Sequence, residues 1–156
     1  MKLHSLLAED LVITDLRSVD RDGALWEIVE FLKARGRVSR DKELYEKLLQ
    51  REKLGSTAIG DGVAIPHCKI KGLKGPLLAL GVSRQGVAFD SLDGKPAHLF
   101  FLVISPPDDP TMSLKILAAI AQLIRRSTGL PRRVLEARTA RDVLAAVRDE
   151  EDKAHG

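Results

Sequence analysis

Apolar residues in the first third of the chain recur at helical spacing. Their intervals of three and four predict a helix over residues 21–35, with Asp20 as its N-cap and Gly36 just after its end. A second helix is predicted over residues 40–52, with Ser39 as its N-cap. Each helix has one apolar stripe, so both are expected to lie against a core.

Strand signals dominate the middle of the chain. Segments 77–83 and 99–104 are unbroken apolar runs of strand length, which suit strands covered on both faces. The small, polar, glycine-rich segment 55–62 is predicted to be a loop. A short apolar strand follows it and is stopped by Pro66, so that His67 stands at a strand end facing a loop.

The last third of the chain is predicted to be helical. A third helix is predicted over residues 110–127, because Asp109 precedes a proline at the first helical position. A short helical turn over residues 134–137 and a last helix capped by Thr139 follow, and the tail 150–156 is expected to fray. Helices that alternate with buried strands indicate an α/β fold, in which a mixed β-sheet is flanked by helices on both sides.

Composition and charge narrow the class of protein. The chain has 156 residues, of which 44% are hydrophobic and 30% charged, which is typical of one globular domain. The single cysteine, Cys68, excludes an intramolecular disulfide and a cysteine-rich metal site, and its simplest role is packing. No apolar run approaches the about 18 residues of a membrane span, and the N-terminal segment is too acidic for a secretory signal, so we expect a cytoplasmic protein.

His67 and the polar segment before it form the candidate chemical site. Ser56 and Thr57 supply hydroxyl donors, and Arg51 carries a planar guanidinium suited to phosphate. Nearby glycines allow backbone N–H groups to approach a ligand closely: Gly55, Gly60 and Gly62. Neutral imidazole beside such donors can accept a phosphoryl group on a ring nitrogen.

A plainer interpretation fits the same residues. Segment 55–62 can be an ordinary turn and His67 a strand terminator, and spacing alone leaves both interpretations open. The segment lacks the glycine-lysine-Ser/Thr ending of a Walker A loop, and one histidine beside one cysteine makes no metal site. Of the other histidines, His4 and His155 are expected to be solvated, and His98 is expected to pack at a strand edge.

A longer motif joins these residues. Arg51-Glu52, followed by GSTAIGDGVAIPH over residues 55–67, closely resembles the signature of EIIA domains of the phosphotransferase system, in the fructose, mannitol and nitrogen class. The likeness covers residues 3–149 and implies a single EIIA domain with an α/β sandwich fold. Residues 150–156 would then be a tail outside the domain.

The resemblance implies a role for several residues. His67 would be transiently phosphorylated by a histidine-phosphocarrier protein, and would pass the group to an EIIB partner or hold it as a regulatory mark. Arg51 would stabilise the phosphoryl group, with Thr57 in the loop beside it, and no metal or other cofactor is needed. The family usually carries a second active-site histidine at the start of the third helix, where this chain has Ser113. Serine donates a hydrogen bond but does not titrate near neutral pH.

Alternative functions stay open at this level. The length of the chain, without an attached EIIB or EIIC segment, favours a nitrogen-type regulator. The alternatives are a separate EIIA component of a sugar permease and a binding module that no longer transfers phosphate. Residues 125–148 also contain seven arginines, which could contact nucleic acid. Since no aromatic platform or reading motif accompanies them, we expect a solvated or partner-facing surface there instead.

Overall fold

The computed structural model describes residues 1–155. Two short 3₁₀ turns, Leu3–Ser5 and Glu9–Leu11, precede the first helix. The α-helices of the described range are α1 Arg21–Ala34, α2 Asp41–Lys53, α3 Pro110–Arg126, α4 Leu130–Glu136 and α5 Ala140–His155. In this part of the chain, every helix is too short or too polar to cross a membrane.

The strands form one mixed sheet around a central strand. They are β1 Val12–Ile13, β2 Ala58–Gly60, β3 Val63–Ala64, β4 His67–Lys69, β5 Leu77–Val87 and β6 Ala97–Ser105. The antiparallel strand β5 lies along one edge of β6, and β3 and β4 lie parallel to β6 along its other edge. The parallel β1 extends the sheet beyond β5, and the antiparallel β2 extends it beyond β3.

Two hydrophobic clusters lie on opposite faces of this sheet. Leu99 and Phe101 of β6 belong to the cluster that packs against α3, α4 and α5. Phe100 and Leu102 belong to the cluster that packs against α1 and α2. Because successive side chains of a strand point to opposite faces, β6 contributes to both cores. The predicted fold class, a mixed sheet with helices on both sides, is confirmed.

The first two helices differ from the prediction only at their ends. Asp20 caps α1 as predicted, and its side chain accepts a hydrogen bond from the Gly23 N–H at 2.7 Å. Ser39 does not cap α2; Arg40 holds that position and makes no side-chain capping bond. Asp41 in the first turn of α2 supplies negative charge near the helix N-terminus, which stabilises the end without a cap.

Segment 55–62, predicted to be a loop, contains strand β2. This strand turns at Asp61, whose φ of 57° is left-handed, and pairs back onto β3. The composition of small and polar residues concealed the strand, because none of its three residues is fully buried and it has no apolar run. The prediction for His67 is also corrected, since this residue begins β4 and does not end a strand.

The C-terminal helices are longer than predicted. α4 begins before the predicted segment 134–137, with Pro131 in its first turn, where a missing N–H leaves no helical bond unmade. α5 continues through His155, so the expectation that residues 150–156 fray is wrong for its helical part. Gly156 and the side chain of His155 lie outside the described residues.

Glu151 explains why this last segment is ordered. Its side chain is 1% exposed and accepts hydrogen bonds from the backbone N–H groups of Leu3 and His4. The Nδ1 atom of His4 also lies 2.7 Å from a Glu151 carboxylate oxygen, so His4 is not the solvated side chain that its position predicted. The final turns of α5 are thereby joined to the N-terminal 3₁₀ turn.

Glu151→Ala is expected to lower the free energy of unfolding by about 2–4 kcal/mol, because two backbone donors lose a buried acceptor. Urea unfolding followed by circular dichroism measures the change. Asp152→Ala is the control, since Asp152 pairs with Lys2 at the surface and its loss is expected to change little. Equal stability of the two variants would show that the buried contacts do not hold the helix end.

Candidate functional site

β4 forms an edge of the sheet beside the end of β6. The chain follows β6 in one continuous parallel register, with Val63 opposite Leu99 and His67 opposite Val103. The hydrogen-bond ladder with β6 is interrupted between β3 and β4 at Pro66, which has no N–H. The Pro66 carbonyl still accepts a hydrogen bond from the Val103 N–H at 2.9 Å. His67 therefore shares a sheet face with Val103, the face that α3 covers.

The imidazole of His67 is half-buried and held by one hydrogen bond. Its Nδ1 lies 2.8 Å from the carbonyl oxygen of Ile65. Since a carbonyl oxygen only accepts hydrogen bonds, Nδ1 carries the proton and donates it. In the neutral imidazole the other ring nitrogen, Nε2, then keeps its lone pair. The geometry thus prepares Nε2 as a nucleophile.

The hydroxyls of Ser56 and Thr57 are both occupied within the protein. Ser56 donates to the Phe89 carbonyl and accepts from the Ala58 N–H. Thr57 is buried, and its hydroxyl donates to the Glu52 carboxylate at 2.6 Å. The two residues therefore organise the loop beside β4, and neither presents a free hydroxyl donor.

Arg51 lies in the last turn of α2, the helix that packs against β4. Its Nη1 donates to the Gly55 carbonyl at 2.8 Å, which ties the guanidinium to the loop after the helix. In residues 1–155 no carboxylate forms an ion pair with it. Because a guanidinium has five N–H donors, most of them remain available to an anion.

Gly60 and Gly62 are not brought to His67. They flank the β2–β3 turn with φ values of 89° and 77°, and a Cβ on Gly62 would contact the ring of His98. Val63 pairs four positions before His67 along β6, which corresponds to roughly 13 Å at the rise of a strand. The two glycines therefore shape the hairpin and do not provide phosphate contacts at His67.

Ser113 lies in the first turn of α3 and is 7% exposed. α3 packs through Ile116 and Ile120 onto the same sheet face that carries His67. Arg51 and Ser113 thus belong to helices on opposite faces of the sheet, and β4 lies at the edge between them.

Cys68, next to His67, points to the opposite face of the sheet and packs against the cluster of α1 and α2. Burial raises the pKa of its thiol to about 12, with only a weak opposing effect from Lys47. The thiol is therefore neutral near pH 7, which agrees with the packing role that the sequence predicted.

Alkylation of Cys68 by iodoacetamide at pH 8 is expected to be on the order of 1000-fold slower in the folded protein than in urea, because the thiolate is the reactive form. The raised pKa also means that the neutral thiol contributes stability below about pH 8.5, and that this contribution is lost as the pH rises towards 12. Mass spectrometry of the alkylated fraction over time measures the rates. Similar rates in both states would contradict this burial.

Three of the seven arginines of residues 125–148 pair with acidic side chains of α4 and α5: Arg132, Arg133 and Arg148. Arg125 lies near the end of α3, and Ser127 just after that helix contacts Glu150 near the end of α5. Arg141 lies at the start of α5, roughly 14 Å from Glu150 along the helix axis. This scatter favours a solvated surface over a nucleic-acid site.

His98 joins two strands of the sheet. It donates from Nδ1 to the Ser83 carbonyl at 2.8 Å, which joins β6 to β5 and confirms its packing role. Among the side chains that the structure describes, no three of histidine, cysteine, aspartate or glutamate cluster closely enough to hold a metal ion.

Comparison with known proteins agrees with the mixed sheet and its two helix layers. Residues 5–149 match the family described as phosphoenolpyruvate-dependent sugar phosphotransferase system, EIIA 2. The chain belongs to this EIIA family.

Relatives include both regulatory and sugar-specific proteins. A nitrogen regulatory protein of Bradyrhizobium diazoefficiens is 36% identical over 125 residues, covering 80% of this chain and 81% of that protein. The fructose-specific EIIABC component of Bacillus subtilis is 31% identical over 153 residues, but this chain spans only 24% of its length. The crystal structure of the nitrogen regulatory protein IIA-Ntr from Neisseria meningitidis superimposes with a TM-score of 0.78 and 27% identity, covering 93% of this chain and 98% of that one.

Proposed function

We propose that this chain is a phosphocarrier of the nitrogen-regulatory type, and that it accepts a phosphoryl group on Nε2 of His67. The hydrogen bond from Nδ1 to the Ile65 carbonyl supports this proposal most directly, because it leaves Nε2 unprotonated. The donor is a phosphorylated histidine-phosphocarrier protein. The group then passes to an EIIB-like partner or stays on His67 as a regulatory mark.

The transfer balances without a cofactor. The Nε2 lone pair of His67 attacks phosphorus and forms an N–P bond, while the N–P bond of the donor's phosphohistidine breaks. The electron pair of that bond returns to the donor imidazole. Such a step needs alignment and charge stabilisation more than acid–base chemistry.

Arg51 and Ser113 are the residues proposed to stabilise the transferred group. The free N–H donors of Arg51 fit the equatorial oxygens of a phosphoryl group, and the bond to the Gly55 carbonyl limits the motion of the guanidinium. Ser113 offers one neutral donor where the family usually has a second histidine. A site with one arginine and one serine stabilises the negative charge of the phosphoryl group. Neither side chain transfers a proton near neutral pH, as a second histidine could.

Ser113→Ala is expected to slow phosphoryl transfer to the chain about tenfold, since one hydrogen bond to a charged group is lost. Stopped reactions with a radiolabelled phosphocarrier protein measure the rate. Ser127→Ala is the matched control, because Ser127 is also buried but follows the opposite end of α3. Equal slowing in both variants would indicate an effect on α3 alone.

The regulatory assignment is supported by the match to nitrogen regulatory proteins over most of both chains. The second candidate is an EIIA component of a fructose permease, which the Bacillus subtilis relative favours. Transfer onward to a sugar-specific EIIB separates the two, since a regulatory protein is expected to keep its phosphoryl group when such an EIIB is added.

Phosphorus NMR after incubation with the phosphorylated carrier tests the main proposal. We expect a single phosphohistidine signal of the Nε2 type, stable in base and lost in acid. A signal of the Nδ1 type would overturn the assignment of the atom. Failure of any carrier protein to label the chain would favour a binding module without transfer.

A further inference from the structure

Glu52 is a buried carboxylate at the end of α2. It is 4% exposed, and its basic neighbour Arg21 acts on it through charge while forming its own ion pairs with Asp22 and Asp90. Both oxygens of Glu52 accept hydrogen bonds from Thr57, one from the backbone N–H at 2.9 Å and one from the hydroxyl at 2.6 Å. Burying a carboxylate costs folding free energy, which these two hydrogen bonds offset only in part. The position of Glu52 therefore suggests a role beyond stability.

The contacts continue from Glu52 to the imidazole of His67. The Thr57 carbonyl accepts a hydrogen bond from the Ile65 N–H at 3.0 Å. The Ile65 carbonyl, on the same residue, accepts the proton of His67 Nδ1 at 2.8 Å. Hydrogen bonds therefore connect Glu52 of α2 to Thr57, Thr57 to Ile65, and the Ile65 carbonyl to the Nδ1 of His67.

We propose that Glu52 is a positioning residue for phosphoryl transfer: by clamping Thr57 it orients the Ile65 carbonyl, and this carbonyl holds His67 in the tautomer with a free Nε2. The proposal rests on the proposed function of His67. Glu52 touches neither the phosphoryl group nor the imidazole, so its effect passes through the backbone. A purely structural role would instead change stability and leave the tautomer as it is.

Glu52→Gln is the informative substitution, since glutamine keeps the size but has one acceptor oxygen for the two donors of Thr57 and lacks the charge that strengthens both hydrogen bonds. Long-range proton–nitrogen NMR of the imidazoles reports the tautomer of His67 directly and needs no partner protein. We expect the wild type to show a single Nδ1–H tautomer and Glu52→Gln to show a mixture of both. Glu46→Gln, an exposed glutamate of the same helix, is the matched control.

Phosphoryl transfer provides the second readout. We expect Glu52→Gln to slow labelling of His67 by roughly 10–100-fold, consistent with a misplaced nucleophile. Thr57→Val, which removes the hydroxyl, is expected to act in the same way, and the two substitutions together are expected to be no worse than either alone. Thr57→Ser, which keeps the hydroxyl, is expected to show the wild-type rate and tautomer. If Glu52→Gln does not fold, Thr57→Val takes its place, with Thr57→Ser as the control.

Two results separate this proposal from the function itself. A folded Glu52→Gln protein with an unchanged His67 tautomer would overturn the positioning role, even if His67 accepts phosphate. A shifted tautomer would support that role even if no carrier protein labels the wild type, in which case the proposed function alone would fail.

Discussion

Replacement of His67 by alanine is expected to abolish acid-labile phosphorylation of the chain. Neither of the other two histidines whose side chains the structure describes has the same setting, since His4 is bound to the buried Glu151 and His98 to the Ser83 carbonyl. Because His67 is half-buried at a sheet edge, its removal is expected to leave the fold intact. Radiolabelled phosphocarrier protein, followed by gel autoradiography, measures the loss.

The control for this experiment is His4→Ala, which removes another partly exposed histidine and is expected to retain full labelling. Circular dichroism of both variants confirms that each is folded. Labelling of His67→Ala at the wild-type level would move the phosphoryl acceptor to another residue and remove the basis of the proposed function.

Phe100→Ala is expected to cause the largest loss of stability. Phe100 is fully buried in the centre of β6 and packs edge-on against Phe89, with ring centroids 5.2 Å apart. Truncation leaves a cavity in the core under α1 and α2, at a cost of about 3–5 kcal/mol. For a chain of this size the melting temperature is expected to fall by roughly 6–20 °C.

Differential scanning calorimetry measures this fall, and Leu92→Ala is the control. Leu92 is a fully exposed apolar side chain in the loop before β6, so its truncation removes almost no buried surface. A melting temperature for Phe100→Ala within about a degree of the control would mean that the core under α1 and α2 collapses to fill the cavity.

Local patterns predicted those parts of the fold that depend on nearby residues. The cap at Asp20 and the apolar runs of β5 and β6 each depend on residues that are close neighbours in the sequence, and all three are observed. Strand β2 was missed because it has only three residues and none of them is fully buried, so it has no apolar run. The order of the last turns of α5 was missed because Glu151 finds its partners at the other end of the chain, whereas in sequence it resembles a solvated helix residue.

The candidate site shows the same division. His67 and Arg51 follow from the motif, and the structure places them on elements that pack together. Gly60 and Gly62 are close to His67 in sequence, but the strand carries them away from it, and this separation is visible only in the register with β6. The sequence indicates Glu52 only as part of the motif, because nothing in its neighbours along the chain predicts that Thr57 folds back onto it.

The parallel register that holds β4 against β6 has a consequence for signalling. The backbone of His67 is fixed by the ladder on one side, and its ring is fixed by the Ile65 carbonyl. A phosphoryl group arriving on Nε2 would therefore add roughly two negative charges beside a backbone that strand pairing holds in place. A partner that distinguishes the two forms is expected to respond to the added charge, and its discrimination is expected to weaken as salt concentration rises.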